Sequence, residues 1–309
     1  EVITSPLTFV ASANAALYCG AVPVFADIGT DRSLSAEATA AKITGRTRVV
    51  VAVDYAGLPA DVDALRSVLP SECRLVIDAA HSLGGTLRGR PVGSLGDVTT
   101  LSFHPVKQIT TGEGGACVTD DGDLAERMRR LRNHGMTSEA AQRTGATWRY
   151  DITELGYNYR ITDPQAALGW SQLRRLDTVL TRRSELAMRY DELLTDLAGV
   201  STPPRFADRR SAWHLYAIAI DEATFGWPRD RVIDALRADN IQATLHYPAA
   251  HLLGMYRARG HRPGEAPAAE RLCERLITLP LFPSMTEDDQ DDVVRALARL
   301  SAWRPAVVA

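Results

Sequence analysis

The sequence predicts an α/β protein, a large domain around a mainly parallel sheet followed by a small α+β domain. Three observations carry this. Short β-branched apolar runs alternate with helical segments up to about residue 135, a helical period follows from residue 163, and a second, shorter strand-and-helix set lies beyond Pro203-Pro204. Strand-helix alternation favours a parallel sheet buried on both faces, whose strands read as continuous apolar runs.

The elements follow in order. PVFADI (23–28), RVVVAVDY (48–55), RLVIDAA (74–80), DVTTLSF (97–103) and GACVT (115–119) read as buried strands. ADVDALRSVL (60–69) and DGDLAERMRRLR (121–132) read as helices between them. The chain opens on Glu1 in EVITSP, which reads as a strand already in progress, so a preceding segment is expected. Residues 136–161 are polar and irregular. One long helix is then expected, capped by Asp163, with Pro164 in its first turn, and running to about Leu197. Its pairs Arg174-Arg175 and Arg182-Arg183 read as a solvated face. After the Pro203-Pro204 linker come a strand at HLYAIAI (214–220) and helices at RDRVIDALRADN (229–240) and TEDDQDDVVRALARL (286–300). The expected division is 1–200 for the large domain with its linking helix and 201–309 for the small one.

Composition narrows the function. At 309 residues, 45% hydrophobic and 24% charged, the chain is an ordinary globular one. A formal charge of -3 makes no electrostatic case for nucleic acid or an anionic membrane. No apolar run reaches the length of a membrane span, and no signal segment opens the sequence. Cys19, Cys73, Cys117 and Cys273 have no metal-ligand spacing and read as reduced, mostly buried thiols of a cytoplasmic protein.

Of 35 basic residues only Lys42 and Lys107 are lysine. Lys107 lies in SFHPVKQITTGEGG (102–115), between an aromatic-basic patch and a glycine cluster. Arginine stays protonated; a buried lysine can lose its proton and attack a carbonyl. Asp78 ends the apolar strand before it, where a carboxylate meets a ligand at the mouth of an α/β sheet; the plain alternative is a helix cap. Strand-end aspartate and strand-end lysine are the pair that pyridoxal phosphate needs. The amine anchors its aldehyde, and the carboxylate keeps its pyridine nitrogen protonated. His81 offers a hydrogen bond or a stacking face, or is a packed polar residue. Ser102 offers a hydroxyl to a phosphate oxygen, or simply ends a strand. Gly112, Gly114 and Gly115 fit neither a P-loop nor a dinucleotide fingerprint and read as a turn beside the site.

The stretches TSPLTFVASANAALYCGAVPVFADI (4–28), IDAAHSLGG (77–85), SFHPVKQITTGEGG (102–115), LRNHG (131–135) and ELGYNYRITDPQAALGWSQLRRLD (154–177) together resemble the DegT/StrS family of sugar aminotransferases. The resemblance runs through the whole chain and implies the fold-type-I, aspartate aminotransferase-like fold of pyridoxal-phosphate transferases. Within the family SFHPVK…TTGEGG and GYNYR look most like the pseudaminic-acid branch. That branch implies L-glutamate as donor and a UDP-linked 4-keto-6-deoxy-N-acetyl-altrosamine-type sugar as acceptor. The resemblance makes Lys107 the cofactor-linking lysine and Asp78 the partner of the pyridine nitrogen. It sets Phe9 against the cofactor ring, makes Ser102 a phosphate ligand and leaves His81 beside the ring. Asn158 is implied to reach the cofactor phosphate of a neighbouring subunit, hence a homodimer with shared sites. His104 and Arg160 are implied to face the sugar nucleotide, together with loops at 136–150 and 244–256. A Ser-Gly-Thr-Ala turn that cradles the phosphate is implied in a segment before Glu1.

Rivals separate on few residues. A dehydratase of the same family carries histidine in place of this lysine, which Lys107 argues against. Transaminases for perosamine-type or aminoarabinose-type sugars share the motifs. A non-catalytic regulatory member has no need of Lys107, Asp78 and Asn158 together.

Overall fold

The computed structural model describes residues 1–137 and 150–303. The strands are β1 (Val2–Thr4), β2 (Pro23–Phe25), β3 (Val49–Val53), β4 (Arg74–Asp78), β5 (Thr86–Leu87), β6 (Arg90–Pro91), β7 (Val98–Ser102), β8 (Gly115–Val118), β9 (Val200–Ser201), β10 (Arg209–Arg210), β11 (Tyr216–Ile220) and β12 (Leu276–Leu279). The main sheet has the order β2-β1-β3-β4-β7-β8, with every pairing parallel except β7 with β8. Its register sets Val53 beside Asp78 and Asp78 beside Thr100, so β3 and β4 end together and β7 runs two residues further, to Ser102. That is the carboxyl edge where open α/β sheets bind ligands.

The central strands read as unbroken apolar runs because both of their faces are covered. Ile3, Val50, Leu75 and Ile77 are fully buried, packed with Val62 and Leu65 of the helix Val62–Val68. β8 returns antiparallel at the sheet edge, so the segment between Ser102 and Gly115 is a closed loop over the end of the sheet.

β9, β11 and β12 form a separate antiparallel sheet in the order β12-β11-β9. All five residues of β11 are buried. Tyr216 and Ile218 pack with Phe225, Leu236, Ile277 and Leu297, and with Leu186 and Tyr190 of the helix Leu176–Leu194. A third, short sheet of order β10-β5-β6 joins residues 209–210 to the β4–β7 connection.

Four local expectations need correction. The helix after the polar stretch is two, Asp163–Leu173 and Leu176–Leu194, broken at Arg174-Arg175. Its cap is Thr162 in a capping box with Gln165; Asp163 is the first helical residue, where a carboxylate still favours the positive helix end. Arg183 is not on a solvated face. It is buried, and its Nη1 donates to the carbonyls of Trp213 (3.0 Å), His214 (3.3 Å) and Leu281 (3.0 Å). Of the four free thiols, Cys73 and Cys273 are buried while Cys19 and Cys117 are exposed.

Candidate active site

The site is built where β4 and β7 end. Asp78, the last residue of β4, has its carboxylate fixed from two sides. The Ser12 hydroxyl donates to Oδ2 at 2.6 Å, and the Ala80 N–H donates to Oδ1 at 3.2 Å. Ser12 lies in the short helix Ala11–Tyr18, which starts two residues after Phe9, and its hydroxyl sits 2.8 Å from that of Thr8. The strand-end aspartate is thus a buttressed group at the sheet mouth, not a helix cap.

Below the carboxylate lies a second acid that sequence reading passed over. Asp54, just past β3, accepts from the Ser82 hydroxyl at 2.5 Å and from the Ala60 N–H at 2.9 Å. Its carboxyl is wholly buried, and burial pushes it up to about 7. Asp54 ties the turn after β3 to the segment after β4, which carries His81.

Lys107 is held by its neighbours in the loop. Gln108 and Ile109 are buried, and the Gln108 side-chain amide donates to the His81 carbonyl at 2.5 Å. The Lys107 N–H closes a turn onto the His104 carbonyl at 3.0 Å. The loop ends as the glycine pattern requires. Gly112 has φ of +81°, and a Cβ on Gly115 would stand 2.5 Å from the Leu101 carbonyl oxygen of β7. The glycine cluster is the turn into β8.

The Lys107 amine is held down at about 8, because burial disfavours its charge; the Asp78 carboxylate acts the other way and limits the fall. Its Nζ lies 3.4 Å from Nε2 of His214, a residue sequence reading missed. His81 is buried, and its ring meets His214 with centroids 4.3 Å apart. The Tyr247 hydroxyl is 3.3 Å from His81 Nε2, while His81 Nδ1 is buried with no hydrogen-bond partner among the described residues. Burial first, and the Lys107 charge second, hold His81 well below the ordinary histidine range, so its imidazole is neutral. His246 is lowered by the same two causes in the same order.

Of the expected site residues, Asp78, His81 and Lys107 converge. Ser102 closes β7, opposite Gly115. Phe9 stands at the rim, 58% exposed, its ring 5.9 Å from that of Tyr247. His104 is exposed, with Nε2 3.9 Å from the Glu113 carboxylate. Asn158 pairs through its backbone with Asn133, and Arg160 Nη1 donates to the Asn133 side chain at 2.6 Å. Neither side chain hydrogen-bonds to Lys107, Asp78 or His81. The segment 244–256 brings Tyr247 to His81; positions 138–149 of the other expected loop lie outside the described residues.

Gly57 explains how residues 213–214 come so close. It has φ of +104°, and a Cβ there would stand 2.8 Å from the Trp213 nitrogen, 2.9 Å from the His214 nitrogen and 3.0 Å from the His81 carbonyl oxygen. Gly57→Ala is therefore expected to destabilise the fold by about 2–5 kcal/mol, adding backbone strain to a steric clash. Chemical unfolding measures this, and an unchanged midpoint would mean that Trp213 and His214 do not press on Gly57.

Comparison with known proteins adds to this geometry. The model of the DegT/DnrJ/EryC1/StrS aminotransferase family matches residues 1–298. The spore coat polysaccharide biosynthesis protein SpsC of Bacillus subtilis is 40% identical over 303 residues, 96% of this chain and 78% of its own. Among solved structures, the putative sugar aminotransferase Spr1654 of Streptococcus pneumoniae in its PMP form superposes with a TM-score of 0.91 at 30% identity, covering 98% of this chain and 82% of that one. PseC of Helicobacter pylori, an aminotransferase of pseudaminic acid biosynthesis, gives 0.91 at 29% identity, covering 98% and 80%. DesI, solved in the presence of its TDP-sugar product, gives 0.88 at 36% identity, covering 97% and 74%.

Proposed function

The chain belongs to the DegT/DnrJ/EryC1/StrS aminotransferase family, and on that premise we propose that it moves an amino group from L-glutamate to a nucleotide-linked 4-keto-6-deoxy sugar. The acceptor we propose is of the UDP-4-keto-6-deoxy-N-acetyl-altrosamine type, with pyridoxal phosphate as cofactor. The observation that carries this is one amine, Lys107, lowered to about 8 and facing a strand-end carboxylate that Ser12 and Ala80 hold in place.

The donor set fits the cofactor. Asp78 would supply the charge for its ring nitrogen, Lys107 the amine for its aldehyde and Ser102 a hydroxyl for its phosphate, and Phe9 and His81 would hold its ring. The Nδ1 of His81, buried and without a partner among the described residues, is a polar atom open to a ligand. When bound, pyridoxal phosphate draws electrons away from the carbon that exchanges its proton. The chain's own work is to hold and move that proton, and Lys107 does so at Nζ. A group near pH 8 both accepts and returns a proton close to neutrality. The neutral imidazoles of His81 and His246 leave the amine without a competing cation beside it.

A homodimer with shared sites belongs to the same reading. Around Asn158 the chain exposes Leu155, Tyr157 and Tyr159, with Trp170 on the next helix; the two tyrosine rings stack at 4.7 Å. Exposed apolar groups of this kind mark interfaces, and the exposed Asn158 stands among them, free to reach a second subunit. His104 and Arg160 are placed toward the sugar nucleotide in this reading, the cofactor on the part before residue 200, and the enzyme in the cytoplasm, where thiols stay free.

The test is amination by the cofactor-loaded protein against a panel of UDP- and dTDP-linked keto sugars. Glutamate-dependent product with the UDP-linked 4-keto-6-deoxy-N-acetyl sugar is expected. Preference for a perosamine-type or aminoarabinose-type precursor would move the substrate assignment, and failure with every sugar would overturn the reading.

A further inference from the structure

His214 lies 107 positions from Lys107 in the chain, yet its Nε2 is 3.4 Å from the lysine Nζ. Its position is fixed by independent means. The Arg183 guanidinium grips the carbonyls of Trp213 and His214, Gly57 leaves room for their nitrogens, and the ring rests on that of His81. The groups that face the ring are His81, Lys107, Arg183 and His246. Among the described residues no carboxylate pairs with it, and its Nδ1 is buried without a partner. A buried imidazole among cations is neutral. An ammonium has three donors and no lone pair, so Nε2 can only accept from it. That leaves the Nδ1 N–H buried without an acceptor among the described residues.

We propose that His214 is a positioning residue of this site: its imidazole Nε2 accepts one N–H of Lys107 and so aims the rest of the amine at the reacting carbon. The inference rests on the reading of Lys107 as the catalytic amine. The hydrogen bond serves the lysine in both protonation states, since the amine and the ammonium both carry an N–H to give. Asp78 and His214 thereby define the lysine from two sides, one by charge and one by direction.

The experiment uses the scarcity of lysine. Competitive acetylation with acetic anhydride across pH, read by peptide mass spectrometry on the cofactor-free protein, reports Lys107 and Lys42 separately, with Lys42 as internal reference. His214→Phe keeps a ring against His81 and removes the acceptor. Loss of a partner that favours the ammonium is expected to lower the Lys107 midpoint by about 0.5–1 pH unit while Lys42 stays put. In the loaded enzyme kcat is expected to fall about 10–100-fold with little change in KM. His214→Gln, whose carbonyl oxygen can accept, is expected to restore part of both effects. Should the phenylalanine variant fail to fold, His214→Asn, too short to reach Nζ, carries the same test. An unchanged Lys107 midpoint, or a glutamine variant as impaired as the phenylalanine one at unchanged thermal stability, assigns His214 to packing and overturns the proposal. Failure of the aminotransferase reading looks different: the unmutated enzyme aminates no keto sugar, whatever the Lys107 midpoint does.

Discussion

Lys107→Arg is expected to lower glutamate-dependent amination by at least about four orders of magnitude, because on the proposed function it removes both the covalent attachment point and the proton carrier. The substitution keeps the positive charge, so a role limited to attracting an anionic ligand would survive it. What arginine cannot supply is a neutral nitrogen. With its amine at about 8, about one Lys107 in ten is neutral at pH 7, against about one in 2,500 for an ordinary lysine near 10.4. That gain of about 200-fold follows from burial, and Asp78 only tempers it. Activity should accordingly rise with pH through about 8, as the ammonium gives up its proton, and a pH–rate profile reads that limb directly. Mass spectrometry after borohydride should show a cofactor adduct on the unmutated chain and none on Lys107→Arg. Retention of the half-reaction with glutamate in the variant would remove Lys107 from the mechanism.

The fold was legible where its signals are local. The strands of the main sheet stand out because parallel strands, covered on both faces, read as apolar runs, and each was found within a few residues of its place. The edge strand β8 carried the same signal, yet it runs antiparallel and is largely exposed rather than buried, since neither direction nor an edge position leaves a mark on composition. The break at Arg174-Arg175 was not legible. Both halves keep a helical period, and nothing in two arginines stops a helix. Arg183 was misread for a related reason. An arginine followed by a polar serine looks solvated, and only three carbonyls brought in from residues 213, 214 and 281 make burial tolerable.

The candidate site divides in the same way. Asp78 and Lys107 were found because each ends or follows a strand and each is chemically unusual where it stands. His214 was not, because in SAWHLY it looks like any histidine before an apolar strand. Its one signal is φ of +47° at Trp213, which no sequence reading reveals. Asp54 was hidden by the same logic. In VDYAG it reads as the end of a strand, and its burial depends on Ser82, 28 residues on.

Asp78→Asn tests whether charge or mere hydrogen bonding at this position drives the reaction, and two effects of the substitution oppose each other. The amide oxygen can still accept from the Ala80 N–H while the Ser12 hydroxyl turns to accept from the amide nitrogen, so the local structure should hold and unfolding should move by no more than about 1 kcal/mol. Loss of the negative charge removes what raises the Lys107 amine, which therefore falls below about 8 and leaves more of it neutral at pH 7. Taken alone, that would speed a reaction limited by the base, by at most the tenfold that separates one part in ten from full deprotonation. Against it stands, on the proposed function, the loss of the anion that would keep the cofactor ring nitrogen protonated, an electrostatic contribution expected to be worth about 10²–10⁴ in rate. The loss outweighs the gain. Asp78→Asn should aminate about two to three orders of magnitude more slowly, while Lys107 in the same variant is acetylated at lower pH than in the unmutated chain. A variant as active as the parent would mean that Asp78 only shapes the sheet mouth. A slow variant whose Lys107 midpoint does not move would mean that the carboxylate and the amine do not share one site.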